Sequence, residues 1–113
     1  MAGRVPRTPR TPRAPRVSDE PDAYASVFAA LAHPARRQIL ITLNFSAGGS
    51  MTAGEIAAMF AHAWPTTTRH LRVLEAAGLL LQEWRGRTHV FRIDRRRLRL
   101  ARDWLAWFLE PPR

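Results

Sequence analysis

Apolar positions change their spacing along this chain, and the changes mark its elements. Tyr24, Val27, Phe28 and Leu31 stand at i, i+3, i+4 and i+7, one face of a helix predicted over residues 20 to 32 behind the polar start Ser18, Asp19 and Glu20. Pro34 suits the first turn of a second helix, whose buried side is Ile39, Leu40 and Leu43 and which ends at Ala47-Gly48-Gly49-Ser50. Thr52 and Glu55 have the capping-box spacing, in which hydroxyl and carboxylate each satisfy a backbone N–H at a helix start. They open a short helix through Phe60 that buries Ile56, Met59 and Phe60. After a break from Ala61 to Trp64, Pro65 opens a fourth helix with Leu71 and Leu74 inward and Gly78 as its stop.

Beyond Gly78 the period shortens to that of paired strands, Leu79 to Trp84 and Thr88 to Ile93, joined across Arg85-Gly86-Arg87. Asp94 caps a last helix that runs to about Leu109 before Pro111-Pro112. At about 100° per residue, Leu98, Leu100, Ala101, Trp104, Leu105, Trp107, Phe108 and Leu109 cover an arc of roughly 200°. A helix lying on one core needs only about 100°. The surplus predicts packing on both its own domain and a second chain; the alternative is that the tryptophans fold over a loop or the first helix of the same chain.

The 113 residues fit one domain, and their formal charge of +9 comes from arginine alone, since all 18 basic residues are Arg. Such a balance points to a polyanion, with nucleic acid ahead of a membrane surface. No unbroken apolar run, that from Trp104 to Leu109 included, is as long as a membrane span or a secretory core, so a soluble, unexported protein is expected. The total Cys count is 0, which excludes disulfides, thiolate metal sites and a cysteine nucleophile. Scattered Ser and His, with no Gly-rich phosphate loop, give no sign of an enzyme or of a cofactor site.

Residues 1 to 17 form a separate arm without an acid: Arg4, Arg7, Arg10, Arg13 and Arg16 recur every third position among prolines. That period forbids a helix and suits polyproline II, with all the arginines along one edge, as a DNA-touching arm or as a solubilising tail. Residues 18 to 113 then keep 13 Arg against 9 acids.

A helix-turn-helix followed by a Gly-tipped hairpin with Arg on both sides of the tip has the outline of a winged helix. The fourth helix is the candidate recognition helix. Thr66, Thr67 and Thr68 offer hydroxyls and N–H groups at its start, where a phosphate is favoured. Arg69 and Arg72 stand on the side away from Leu71 and Leu74, and Arg69 suits a bidentate pair with guanine. Arg85 and Arg87 suit a minor groove or flanking phosphates. Arg95, Arg96, Arg97 and Arg99 crowd one helix start against its dipole, which calls for a negative partner or nearby acids.

The stretches from Leu31 to Leu40, Glu55-Ile56-Ala57 and Pro65 to Leu79, with Gly86, Arg87 and Phe91 at the wing, resemble the ArsR/SmtB family of bacterial repressors over about residues 23 to 109. The resemblance implies a mainly α fold of about five helices plus a two-stranded wing. It also implies a homodimeric repressor on double-stranded DNA with a palindromic operator, cytoplasmic and associated with the bacterial nucleoid. Pairing through the first and last helices would use Tyr24, Val27, Phe28, Leu98, Ala101, Trp104, Leu105 and Phe108. DNA contacts would come from Trp64, Thr66, Thr67, Thr68, Arg69, His70, Arg72, Arg85 and Arg87. Trp64 replaces the small polar residue usual before the proline; it either touches DNA or plugs the turn. The family's thiolate sensing site has no counterpart here, and its second metal site uses His on the last helix, which here offers Asp94, Asp103 and Glu110 but no His. His33, His62, His70 and His89 stand apart without ligand spacing and are expected in capping, packing or DNA contact. No cofactor is expected, and the inducer is left open. Two other classes fit the same outline: a protein-interaction module that has lost DNA binding, and a sequence-indifferent architectural binder driven by the arm.

Overall fold

The computed structural model describes residues 22–60 and 63–110. The arm, the predicted start at Ser18, Asp19 and Glu20, His62 and the closing prolines lie outside the described residues. Helix α1, Ala23–Leu31, begins where the Asp22 carboxylate accepts the Ala25 N–H at 2.7 Å. It buries Val27 and Ala30. Helix α2, Pro34–Asn44, has proline in its first turn and His33 as its cap, with His33 Nδ1 accepting the Ala35 N–H at 3.0 Å. Ile39, Leu40 and Leu43 form its buried side, as their spacing predicts.

A 3₁₀ turn at Ala47–Gly49 leads into strand β1, Ser50–Thr52. Helix α3, Ala53–Met59, opens on the expected capping box: Glu55 N–H donates to Thr52 Oγ1 at 3.0 Å, and Thr52 N–H donates to Glu55 Oε1 at 2.8 Å. Ile56 is fully buried, but Met59 is 58% exposed, which corrects its expected place inside. Only seven residues long, α3 turns a single narrow side inward.

Helix α4, Trp64–Ala76, ends at Gly78 in a Schellman arrangement. Leu79 N–H reaches the Leu74 carbonyl and Gly78 N–H reaches that of Glu75, each at 2.9 Å, and Leu74 and Leu79 pack fully buried. Gly78 has φ +80°, a backbone that a side chain strains. Strands β2, Leu80–Arg85, and β3, Thr88–Ile93, pair from Leu80↔Ile93 to Arg85↔Thr88, leaving Gly86-Arg87 as a two-residue turn with Gly86 at φ +65°.

The wing has three strands rather than the expected two, because β1 pairs with β3 through Ser50↔Arg92, Met51↔Phe91 and Thr52↔Val90, giving the order β1-β3-β2. Three residues are too few to show alternation in sequence. Helix α5, Arg96–Leu109, crosses back over α1, and five helices stand among the described residues. No helix among them is long and apolar enough to cross a membrane.

Of the four arginines at the start of α5, Arg96 has an acid partner, Arg95 donates to Asn44 Oδ1 at 2.8 Å, and Arg97 and Arg99 form no ion pair among the described residues. Buried Asp94 accepts the Arg96 N–H at 3.1 Å and pairs with its guanidinium at 2.7 Å. The Arg96 guanidinium and N–H hold the carboxyl at about 2, below its ordinary 3.8, against the opposing pull of burial. A depressed folded-state value stabilises the fold above the unfolded value and loses that contribution as pH falls toward the folded one. In denaturation at stepped pH, the stability gap between wild type and Asp94→Asn narrows from pH 5 toward about 2. A gap that stays constant contradicts this.

Candidate nucleic-acid interface

The inward side of α4 is Thr67, His70, Leu71 and Leu74, at i, i+3, i+4 and i+7. Thr67 is 1% and His70 5% exposed, so neither side chain lies on the surface expected for them. Extending the Leu71 and Leu74 stripe back by one turn places both inside, and of the roles expected for His70 it takes packing. Thr66 and Thr67 N–H groups both donate to the Ala63 carbonyl, at 3.0 and 3.1 Å, so these two expected phosphate-binding amides are already occupied. The hydroxyls of Thr67 and half-buried Thr68 are enclosed and have no partner among the described residues. Of the three threonines, only Thr66 is exposed.

His70 anchors α4 to the scaffold. Its ring lies 4.5 Å from that of His33, and its Nδ1 is 3.4 Å from Arg36 Nη1. Arg36 donates from Nε to the Ala30 carbonyl at 2.8 Å and from Nη2 to that of Ala29 at 3.1 Å, while Arg37 donates to Leu31 at 2.9 Å. These carbonyls lie in the last turn of α1, where Ala29 also accepts the Ala32 N–H at 3.2 Å, and the two arginines bind them. One guanidinium thus joins the end of α1, the start of α2 and the middle of α4. The fold brings together His33 and His70, which stand apart in sequence, beside a cation that opposes a metal ion. The Arg36 and Arg37 roles were not drawn from the sequence, although arginines just after a helix end are a recognisable signal.

With that side fixed, Trp64, Thr66, Arg69 and Arg72 face solvent on α4. Arg85 and Arg87 are exposed at the hairpin tip. Arg69, Arg72 and Arg87 form no ion pair among the described residues, whereas Glu83 pairs with Arg85 at 2.9 Å and Arg92 at 3.0 Å. The Arg92 and Arg85 guanidiniums hold the Glu83 carboxyl below its ordinary range.

The expected pairing face divides. Val27 and Ala101 are buried between α1 and α5 of one chain and leave that face. Phe28 meets Trp104 edge-on at 5.3 Å, so part of the aromatic arc does fold over the first helix. Tyr24, Leu98 and Trp104 are half-buried, and Leu105, Trp107, Phe108 and Leu109 remain exposed.

A solvent-facing basic helix, set behind a hairpin with arginines at its tip, defines a winged helix-turn-helix protein. A family model for a helix-turn-helix domain matches residues 31–83. The transcriptional repressor SdpR of Bacillus subtilis (strain 168) is 32% identical over 84 residues, 74% of this chain and 90% of SdpR. The crystal structure of an ArsR family transcriptional regulator has a TM-score of 0.70 at 30% identity, with 83% of this chain and 94% of that one covered. An ArsR-like transcriptional regulator from Rhodococcus sp. RHA1 has a TM-score of 0.66 at 29% identity, with 78% and 81% covered. The chain belongs to the ArsR family of winged helix-turn-helix transcriptional regulators. It is a transcriptional regulator with a DNA-binding helix-turn-helix domain.

Replacing Arg36 by Met keeps the stem and removes the bonds to α1 and His70. The expected loss in urea denaturation is about 1–3 kcal/mol. An unchanged midpoint would show that α4 is seated without it.

Proposed function

We propose that this chain is a repressor that binds, as a homodimer, an operator with two-fold symmetry. The observation that carries this reading is that three exposed arginines have no acid partner where a winged helix meets DNA, Arg69 and Arg72 on α4, whose opposite side is locked inside, and Arg87 on the wing. Arg69 reads a guanine in the major groove, Arg72 and Thr66 hold the adjoining backbone, and Trp64 lies beside them at the helix start. Arg85 and Arg87 take the flanking groove. The arm, residues 1–17, adds phosphate contacts without sequence preference, and residues 18–113 form the DNA-binding and pairing domain. The regulator acts in the bacterial cytoplasm on the nucleoid. It works without a thiolate metal site or redox switch, because it has no Cys, and buried His70, packed against the ring of His33, serves structure.

The two-fold partner covers the exposed end of α5. Leu105, Phe108 and Leu109 lie in water in one chain, where burying a large apolar side chain is worth about 1.5–3 kcal/mol. Mobility shifts compare the gene's own upstream region with random DNA. A discrete band on the former alone supports the repressor, a salt-sensitive smear on both an architectural binder, and no band an adapter.

Arg69→Ala is expected to weaken operator binding by about 1–3 kcal/mol and to relax preference at one base pair per half-site. Unchanged selectivity removes Arg69 from the reading set. In sedimentation, the wild type runs as a dimer and the double variant Leu105→Glu with Phe108→Glu as a folded monomer with weakened operator binding. A double variant that stays dimeric contradicts the assigned face.

A further inference from the structure

The wing carries an aromatic residue that the arginines do not account for. Trp84 pairs across the sheet with His89, and Gln82 with Phe91, on the face that also bears Leu80 and Ile93. Leu80, Phe91 and Ile93 are buried on that face, but Trp84, at its outer end, is 65% exposed. The indole lies flat on the His89 imidazole, ring centroids 4.3 Å apart and planes within 9°. His89 in turn rests 4.6 Å from Phe91. One indole face is therefore covered, and the exposed area belongs to the other face and the edge.

This platform is tied to the recognition helix. His89 Nε2 is hydrogen-bonded to Gln82 Oε1, and Gln82 Nε2 donates to Glu75 Oε1 at 2.6 Å. Glu75 stands on α4 one turn after Arg72. A chain of side chains thus fixes the indole relative to the helix that carries Arg69 and Arg72. Arg85 and Arg87 flank the same hairpin end, so a partner there must offer anions to the guanidiniums and an apolar face to the indole. Duplex DNA offers both, in its phosphates and its deoxyribose rings.

We propose that Trp84 is a DNA contact of the wing, packing its open face on deoxyribose beside each half-site, and that Glu75, Gln82 and His89 are its positioning residues. The inference rests on the DNA-binding reading above and adds to it a contact that carries no charge. Losing such a contact lowers affinity without releasing fewer counterions, whereas losing a phosphate-bound arginine flattens the salt dependence.

The test uses the full chain, duplex from its own upstream region, and variants whose melting temperatures are compared with wild type. Trp84→Ala is expected to bind about tenfold more weakly with an unchanged log–log salt slope. Arg87→Ala is expected to lower that slope in magnitude by about one per chain, or about two for the dimer on its operator. In hydroxyl-radical footprints, which read the exposure of deoxyribose, Trp84→Ala loses protection beside each half-site, while Trp84→Phe keeps it. Affinity within twofold of wild type, with flanking protection intact in Trp84→Ala, would overturn the inference. A wild type that forms no specific complex would overturn the DNA-binding reading itself, and this contact with it.

Discussion

The seating of α4 decides where every other functional group points. Thr67, His70, Leu71 and Leu74 are buried on one side, the Arg36 guanidinium holds His70 to the end of α1, and Gly78 turns the chain abruptly into the sheet. A helix so held has no rotational choice. Arg69 and Arg72 project outward because the stripe four and three residues apart has been spent on the core. The turn at Gly78 also starts β2 close to the end of α4, so helix and wing pack against each other.

Charge follows the same division. Within the domain, arginines near acids are used for structure: Arg96 with Asp94, and Arg92 with Glu83. Arg36 and Arg37 are used on carbonyls at the end of α1. What is left over includes Arg69 and Arg72 on α4, Arg87 at the wing tip, and Arg97 and Arg99 on α5. The net charge of +9 says only that an anion is sought.

Local signals carried much of the fold in advance. The capping box at Thr52 and Glu55, proline at the start of α2, Gly78 after α4 and the Gly86 turn each encode a backbone event within a few residues, and each stands where expected. Strand β1 was illegible because its pairing with β3 is a contact across some forty residues that three side chains cannot announce. Thr67 and His70 differ from the DNA contacts implied for them for another reason: their spacing from Leu71 and Leu74 puts both inside, where His70 takes the packing role among those expected of it and an arginine from another helix makes it acceptable. The wide apolar arc of α5 held two messages at once. Its inner part closes on Phe28 in the same chain, and only the part beyond Trp104 is left for a partner.

In the proposed complex, two copies of this domain present two α4 faces to one duplex. Selection of bound fragments from a random duplex pool by the full chain, at physiological salt, tests it directly. Enrichment of one short sequence in two inverted copies, centred about one helical turn or a whole multiple of it apart, is the predicted result. A pool without an enriched motif, or a motif present in a single unpaired copy, would contradict it.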